Sequence, residues 1–298
     1  MTKSMKKNVS LVLSSGGARG MAHIGIIEEL IKNDFKIHSV AGSSIGAVVG
    51  GVYASGKLEE FADWVKNLHR IDVFKLMDFT MSSQGFLKGE KVFSELKKFI
   101  PDKNIEDLDI PFSAVATDPK SHKEAIFTSG SLYDAMRASI SIPGILIPGK
   151  VKNTSYLDGG VLNPVPIDHV KRDDGDMLVV VDLNADLPYK KPKYDEDAQK
   201  KNEQQYQQLL DKFMEAVGIQ KKEKTEKETQ LGYYELLNTS VVLMQEKLTH
   251  LILEKHEPDL LIPISKKACK TFEFYRANEL IEVGRMAFKK SYDKWSKE

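Results

Sequence analysis

Two serines set in a glycine frame, Gly42-Ser43-Ser44-Ile45-Gly46, carry the clearest chemistry in this chain. The pattern is G-x-S-x-G, a sharp strand-to-helix turn that lifts the central hydroxyl, here Ser44, into the open. A second glycine-rich turn stands upstream, Ser15-Gly16-Gly17-Ala18-Arg19-Gly20. Bare backbone amides in such a turn can hold an anion. A serine nucleophile beside an anion cradle is the minimum equipment for acyl transfer. Ser44 would attack a carbonyl, and the amides of the Gly16, Gly17 and Ala18 loop would hold the oxygen that turns negative.

Ser44 needs a partner to take its proton at neutral pH. Histidine is the usual one, and the chain has seven. The α/β-hydrolase order places several strands before the serine. Only two fit before Ser44, and the anion loop already follows the first, so the topology disagrees with that fold. A better partner is Asp158, in Tyr156-Leu157-Asp158-Gly159-Gly160 ahead of Asn163-Pro164-Val165-Pro166. A carboxylate held in a glycine turn can approach a serine without side-chain obstruction. At its ordinary pKa it is a poor base for an alcohol. A Ser–Asp dyad therefore requires a desolvated aspartate and strong oxyanion donors, each worth roughly 3 kcal/mol. Asp-Gly-Gly alone reads as a plain turn; the two upstream motifs favour the dyad.

The elements around these residues fit. Val9 to Leu13 is an apolar strand-type run, and Ile24, Ile27, Leu30 and Ile31 recur at helical spacing after the first glycines. Ile37 to Ala41 reads as a second buried strand, followed by a small-residue helix through Ala47, Val48, Val49, Val52 and Tyr53. Gly46 lets that helix approach the strand, and Gly42 tolerates the strained turn. Further on, Leu58–Leu68 and Val92–Ile100 read as helices, Phe112–Thr117 and Glu124–Thr128 as strands. Met177–Leu183 is a continuous apolar strand buried on both faces. Met77–Gly89 is irregular with scattered apolar residues, and fits either a flap over an acyl pocket or an ordinary packed loop. Tyr234–Glu254 carries Leu237, Val241, Met244, Leu248 and Leu251 along one helical face, expected to pack on the sheet's outer layer. Arg276–Trp295 is the closing helix.

The three motifs, in this order, resemble those of the patatin-like phospholipases, specifically the compact bacterial branch. Gly16-Gly17-Ala18-Arg19-Gly20, with Ala22-His23-Ile24-Gly25 following, is similar to that family's oxyanion block. Gly42-Ser43-Ser44-Ile45-Gly46-Ala47 resembles its nucleophile block, and Asp158-Gly159-Gly160 with Asn163 and Pro164 its aspartate turn. Ala138-Ser139-Ile140-Ser141-Ile142-Pro143-Gly144 is similar to a block lining its acyl site, and Pro258-Asp259-Leu260-Leu261-Ile262-Pro263 to its last strand. Ser15 stands where the family usually has glycine. The resemblance covers about residues 9–183 and 231–288. It implies a three-layer α/β/α fold with a central, largely parallel sheet. It also implies a Ser44–Asp158 dyad that cleaves fatty-acyl esters of phospholipids or lysophospholipids without histidine. A thioesterase or acyltransferase could use the same dyad. A nucleotide- or anion-binding module is disfavoured, because the first loop is one glycine short of G-x-G-x-x-G.

Other residues read more plainly. Gly42, Gly46, Gly159, Gly160 and Arg19 are expected to support the motifs, Arg19 by bracing the anion loop rather than by steering a headgroup. His23 is expected to be structural, Ser43 to point back into the fold, and Ser139 and Ser141 to serve local backbone bonds. Cys269 is the single cysteine and cannot form an internal disulfide. No metal and no cofactor are expected.

The chain has 298 residues with 43 basic and 43 acidic side chains. That length suits one domain over 1–298. The zero net charge argues against a nucleic-acid binder. The apolar run after Met1–Lys7 is too short for a signal sequence and none is long enough to span a bilayer, so a cytoplasmic protein, soluble or peripheral to a membrane, is expected. Composition shifts at Asn184, and about 186–230 reads as a charged helical insertion. Its one stripe, Tyr206, Leu209, Leu210, Phe213, Met214 and Val217, fits a lid on lipid, or packing on the body or on a second subunit in a homo-oligomer.

Overall fold

The computed structural model of the chain describes residues 8–82, 85–192 and 233–297. The expected insertion at 186–230, with its stripe from Tyr206 to Val217, falls largely outside them.

The apolar strand runs build the centre of one sheet. β1 (Asn8–Leu13) lies between β2 (Lys36–Ser43) and β9 (Met177–Ala185), parallel to both. β5 (Phe112–Asp118) extends the sheet beyond β2, and β10 (Leu260–Ser265) beyond β9, again in parallel. Past β5 the direction reverses. β8 (Thr154–Asp158) and β6 (Lys123–Phe127) both pair antiparallel with β5, and β7 (Gly149–Val151) pairs with β8. The path is β10-β9-β1-β2-β5-β8-β7.

Both faces of the parallel part are covered, which is why its strands read as unbroken apolar runs. Leu11 and Leu13 enter one core with Ile24, Ile27 and Leu30 of α1 (Met21–Lys32), Val49 and Val52 of α2 (Ile45–Ala54), and Leu280 and Phe288 of α8 (Ala277–Trp295). Val12 faces the other way, with Ala41, Leu178 and Val180, into a smaller core beneath Ile252 and Leu253 of α7 (Tyr233–Lys255). The result is helix, mixed sheet and helix: a three-layer α/β/α arrangement with a largely parallel centre. α1 and α8 touch backbone to backbone. A Cβ on Gly25 would stand 2.0 Å from the carbonyl of Ile281, and one on Gly284 2.1 Å from that of Ala22.

Three sequence expectations need correction. The buried side of α7 is not the one expected, because Met244 and Leu251 are 58% and 47% exposed. The helix turns Thr249, Ile252 and Leu253 inward instead. The segment 77–89 is not irregular: it holds a two-stranded ribbon, β3 (Phe79–Ser82) with β4 (Gly85–Leu87), whose Leu87 is buried with Ile145 and Leu146. Asp78 accepts hydrogen bonds from the amides of Gly89, Glu90 and Lys91, starting α5 (Glu90–Leu96). The predicted helix at Val92–Ile100 thus begins and ends earlier.

The start of the sheet is pinned by a polar cluster. Ser10 donates to Asp176 at 2.5 Å, His38 meets the same carboxylate at 2.8 Å, and Arg172 donates to it at 2.7 Å. Burial works against ionising Asp176, yet these bonds and the Asp173 amide hold its carboxyl well below the usual range. No helix among the described residues is long and apolar enough to cross a membrane.

Candidate active site

Strand register brings the two key residues together. Ser43, the last residue of β2, is level with Val115 on β5, and the next residue of β5, Ala116, pairs with Asp158 at the end of β8. Ser44 and Asp158 therefore flank one strand at one level. Ser44 Oγ donates to Asp158 Oδ2 at 2.5 Å.

Ser44 sits between β2 and α2 with φ 55° and ψ −125°, a left-handed conformation that costs a non-glycine residue on the order of 1–3 kcal/mol. The strain is thus on Ser44 itself, not on Gly42, whose φ is ordinary. Gly42 is needed for space: a Cβ there would lie 2.3 Å from the carbonyl of Gly46. Gly46 is needed for the same reason, its Cβ falling 2.1 Å from the carbonyl of Leu13. Ser139, at the end of α6 (Leu132–Ser139), locks the turn. Its hydroxyl accepts from the Ser44 amide at 2.8 Å and donates to Val115 at 2.6 Å. Ser43 is fully buried and faces Gly159.

Asp158 is held on every side. Its Oδ1 accepts from the Gly160 amide at 2.8 Å, its own amide donates to Ser141 at 2.8 Å, and its carbonyl accepts from Thr117 at 3.0 Å. Gly159 leaves room for the carbonyl of Val115, which a Cβ would meet at 2.1 Å. Ser44 is 5% and Asp158 3% exposed. Burial pushes the Asp158 carboxyl up to about 6, against the hydrogen bonds from Ser44 and Gly160. This supplies the desolvation that a carboxylate base requires.

The glycine loop closes over the same point. Ser15 donates its amide to Pro164 at 2.9 Å, tying the loop to the segment after Asp158. Ala18 donates to the carbonyl of Thr271 at 2.9 Å, so its amide is already engaged. Among the described residues, the amides of Gly16 and Gly17 donate to no protein acceptor. The expected cradle of three amides narrows to two. The α2 N-terminus adds its positive end beside Ser44. Arg19 braces the loop: its guanidinium donates to Leu183 at 2.9 Å, Asn184 at 2.8 Å and Cys269 at 3.2 Å.

His23 is fully buried, with Nε2 donating to the carbonyl of Ser14 at 3.0 Å. Burial pushes its pKa down to about 4. It is a neutral structural residue; the partners of Ser44 are Asp158 and Ser139. The described residues contain no group of three or more His, Cys, Asp or Glu placed to hold a metal ion.

Ser44 and Gly17 open onto a cavity of about 160 Å³ walled by Ile45, Val48, Phe61, Trp64, Phe93 and Ile142. Its lining is apolar, suited to a hydrocarbon chain and not to a sugar or a base. Met77, Asp78, Leu87 and Gly89 complete one side, so the segment read as flap or packed loop borders this chamber.

The model of the patatin-like phospholipase family matches residues 11–171. An NTE family protein of Mycobacterium tuberculosis is 33% identical over 325 residues, covering 95% of this chain and 90% of that protein. A lysophospholipase NTE1 of Yarrowia lipolytica is 31% identical over 185 residues, which are 59% of this chain and 13% of that much longer protein. Among solved structures, VipD of Legionella pneumophila aligns over 98% of this chain and 68% of its own, at 14% identity and a TM-score of 0.47. With the family's match spanning the glycine loop, the elbow and the aspartate turn, and a relative alike over nearly its whole length, this chain belongs to the patatin-like phospholipase family of lipid ester hydrolases.

Proposed function

We propose that the protein hydrolyses fatty-acyl esters of phospholipids or lysophospholipids with Ser44 as nucleophile and Asp158 as its base. The observation that carries this is the 2.5 Å hydrogen bond to a buried carboxylate from Ser44 Oγ, the serine itself lining an apolar cavity. The acyl chain enters the cavity and its carbonyl carbon meets Ser44 Oγ. Asp158 takes the hydroxyl proton as the oxygen–carbon bond forms. The amides of Gly16 and Gly17 hold the oxyanion, each worth roughly 3 kcal/mol at the transition state. The carbonyl re-forms, the alcohol oxygen leaves, and Asp158 returns the proton to it. Water then gives a proton to Asp158 and attacks the acyl-serine. The fatty acid departs, and Ser44 regains its proton. The relatives named lysophospholipase favour a single-chain substrate.

The test is mass spectrometry of products from lysophospholipid and from a mixed lipid extract. Wild type should release free fatty acid. Ser44→Ala and Asp158→Asn should each lower turnover by about 10³-fold or more while remaining folded. Retained turnover in either purified variant would remove the dyad. Transfer of the acyl group to an added alcohol or thiol instead of water would make the protein a transferase.

A further inference from the structure

The outer oxygen of Asp158 has company that the dyad does not use. A Cβ on Gly160 would stand 2.7 Å from Gln245 Nε2 and 3.0 Å from both Asp158 Oδ1 and Ser15 Oγ. Three polar atoms from three separate elements thus converge over one face of a glycine. Ser15 is 3% exposed, and its hydroxyl has no hydrogen-bond partner. Buried hydroxyls are rarely left so. Asp158 Oδ1 accepts from the Gly160 amide, and a carboxylate oxygen has capacity for a second donor. Gln245 comes from α7, well outside the 11–171 match, and lies half-buried against the aspartate turn.

We propose that Ser15 and Gln245 are positioning residues for Asp158, their donors sharing one water that hydrogen-bonds to Oδ1. The site has the polar partners such a water needs. The bridge favours the ionised carboxylate, and so sets the pH at which Asp158 becomes a base. Among the described residues, the nearby charged side chains are engaged elsewhere. Glu246 on α7 is paired with Lys266 at 3.0 Å, and Arg137 on α6 is spent on Ser141, Lys88 and Ile147. Glu124 on β6 holds Asn163 and His169, Asp182 holds the Asn184 amide, and Arg19 braces β9. The role also gives a reason for serine at position 15, where a glycine would supply only backbone.

This inference rests on the dyad reading, and the experiment separates the two. The pH dependence of kcat/KM is measured with a chromogenic acyl ester for wild type, Ser15→Ala, Gln245→Leu and the double variant, each checked for folding by circular dichroism. Ser15→Gly removes the same hydroxyl should Ser15→Ala misfold. The expected result is an ascending limb moved up by about half to one pH unit in each single variant. The double variant should move no further than the larger single shift, because one bridge is lost in every case. Limbs that stay at the wild-type position, or shifts that add, would overturn the proposal. A wild type with no ascending limb, or one that survives Asp158→Asn, would instead overturn the dyad.

Discussion

Asp158 is kept in a place that suits its chemistry and strains its stability. Its burial raises its pKa to about 6, above the ordinary aspartate value of 3.8. At pH 7 it is still mostly ionised, and a base near 6 accepts a proton far more readily than one near 4. The cost falls on folding. A carboxyl whose pKa is higher folded than unfolded binds more protons in the native state, so its contribution worsens as pH rises from about 4 to 6 and stays unfavourable above. The gap corresponds to about 3 kcal/mol. Asp158→Asn is therefore expected to melt higher than wild type at pH 8. Thermal unfolding at a series of pH values checks this: the difference should shrink toward pH 4, and an equal or lower melting point at pH 8 would contradict it. At this scale Ser44 and Asp158 were legible because glycines frame them. Ser139 and Gln245 were not. Ser139 bonds the distant Ser44 and Gln245 lies against the distant Gly160, and no local pattern announces such a meeting.

The elbow is the element on which the chemistry turns. α2 lies so close to β1 that position 46 has room for hydrogen only, with the Leu13 carbonyl 2.1 Å from where a Cβ would be. Gly46→Ala must push α2 away and carry Ser44 with it. A stability loss of about 1–3 kcal/mol is expected from the overpacking. A loss of about 10²-fold in kcat/KM is expected from displacing Ser44 by even an ångström. Melting temperature and kcat/KM measured together test this, and a variant like wild type in both would show the contact to be slack. The helical stripe of α7 misled for a physical reason. Apolar residues lie almost all round that helix, from Leu236 and Val242 through Leu243 and Met244 to Ile252 and Leu253. Periodicity then selects no face; contact with Leu178, Val180 and Val165 does.

The whole molecule separates its two ends. The starts of β1 and β2 are tied by Ser10, His38, Ser39 and Asp176, while the far ends of the same strands carry the glycine loop and Ser44. Ligands in parallel sheets bind beyond the carboxyl ends of the strands, and the cavity obeys that rule. The parallel half was readable because burial on both faces writes continuous apolar runs. The antiparallel edge was harder. β7 is three residues long and turns into β8 through Lys152 and Asn153, both with positive φ, at 50° and 86°. A tight turn of that kind is usually announced by Asn-Gly or Asp-Gly, and Lys-Asn gives no such signal. What joins both halves is the hydrogen bond from Ser44 to Asp158. The most direct measurement of it is the labelling rate of the whole protein by an alkyl fluorophosphonate, followed by peptide mapping and repeated across pH. A single adduct on Ser44 is expected, forming at a rate that climbs through pH 6, levels off above, and collapses in Asp158→Asn. An adduct on another residue, or labelling of Asp158→Asn at the wild-type rate, would contradict the account.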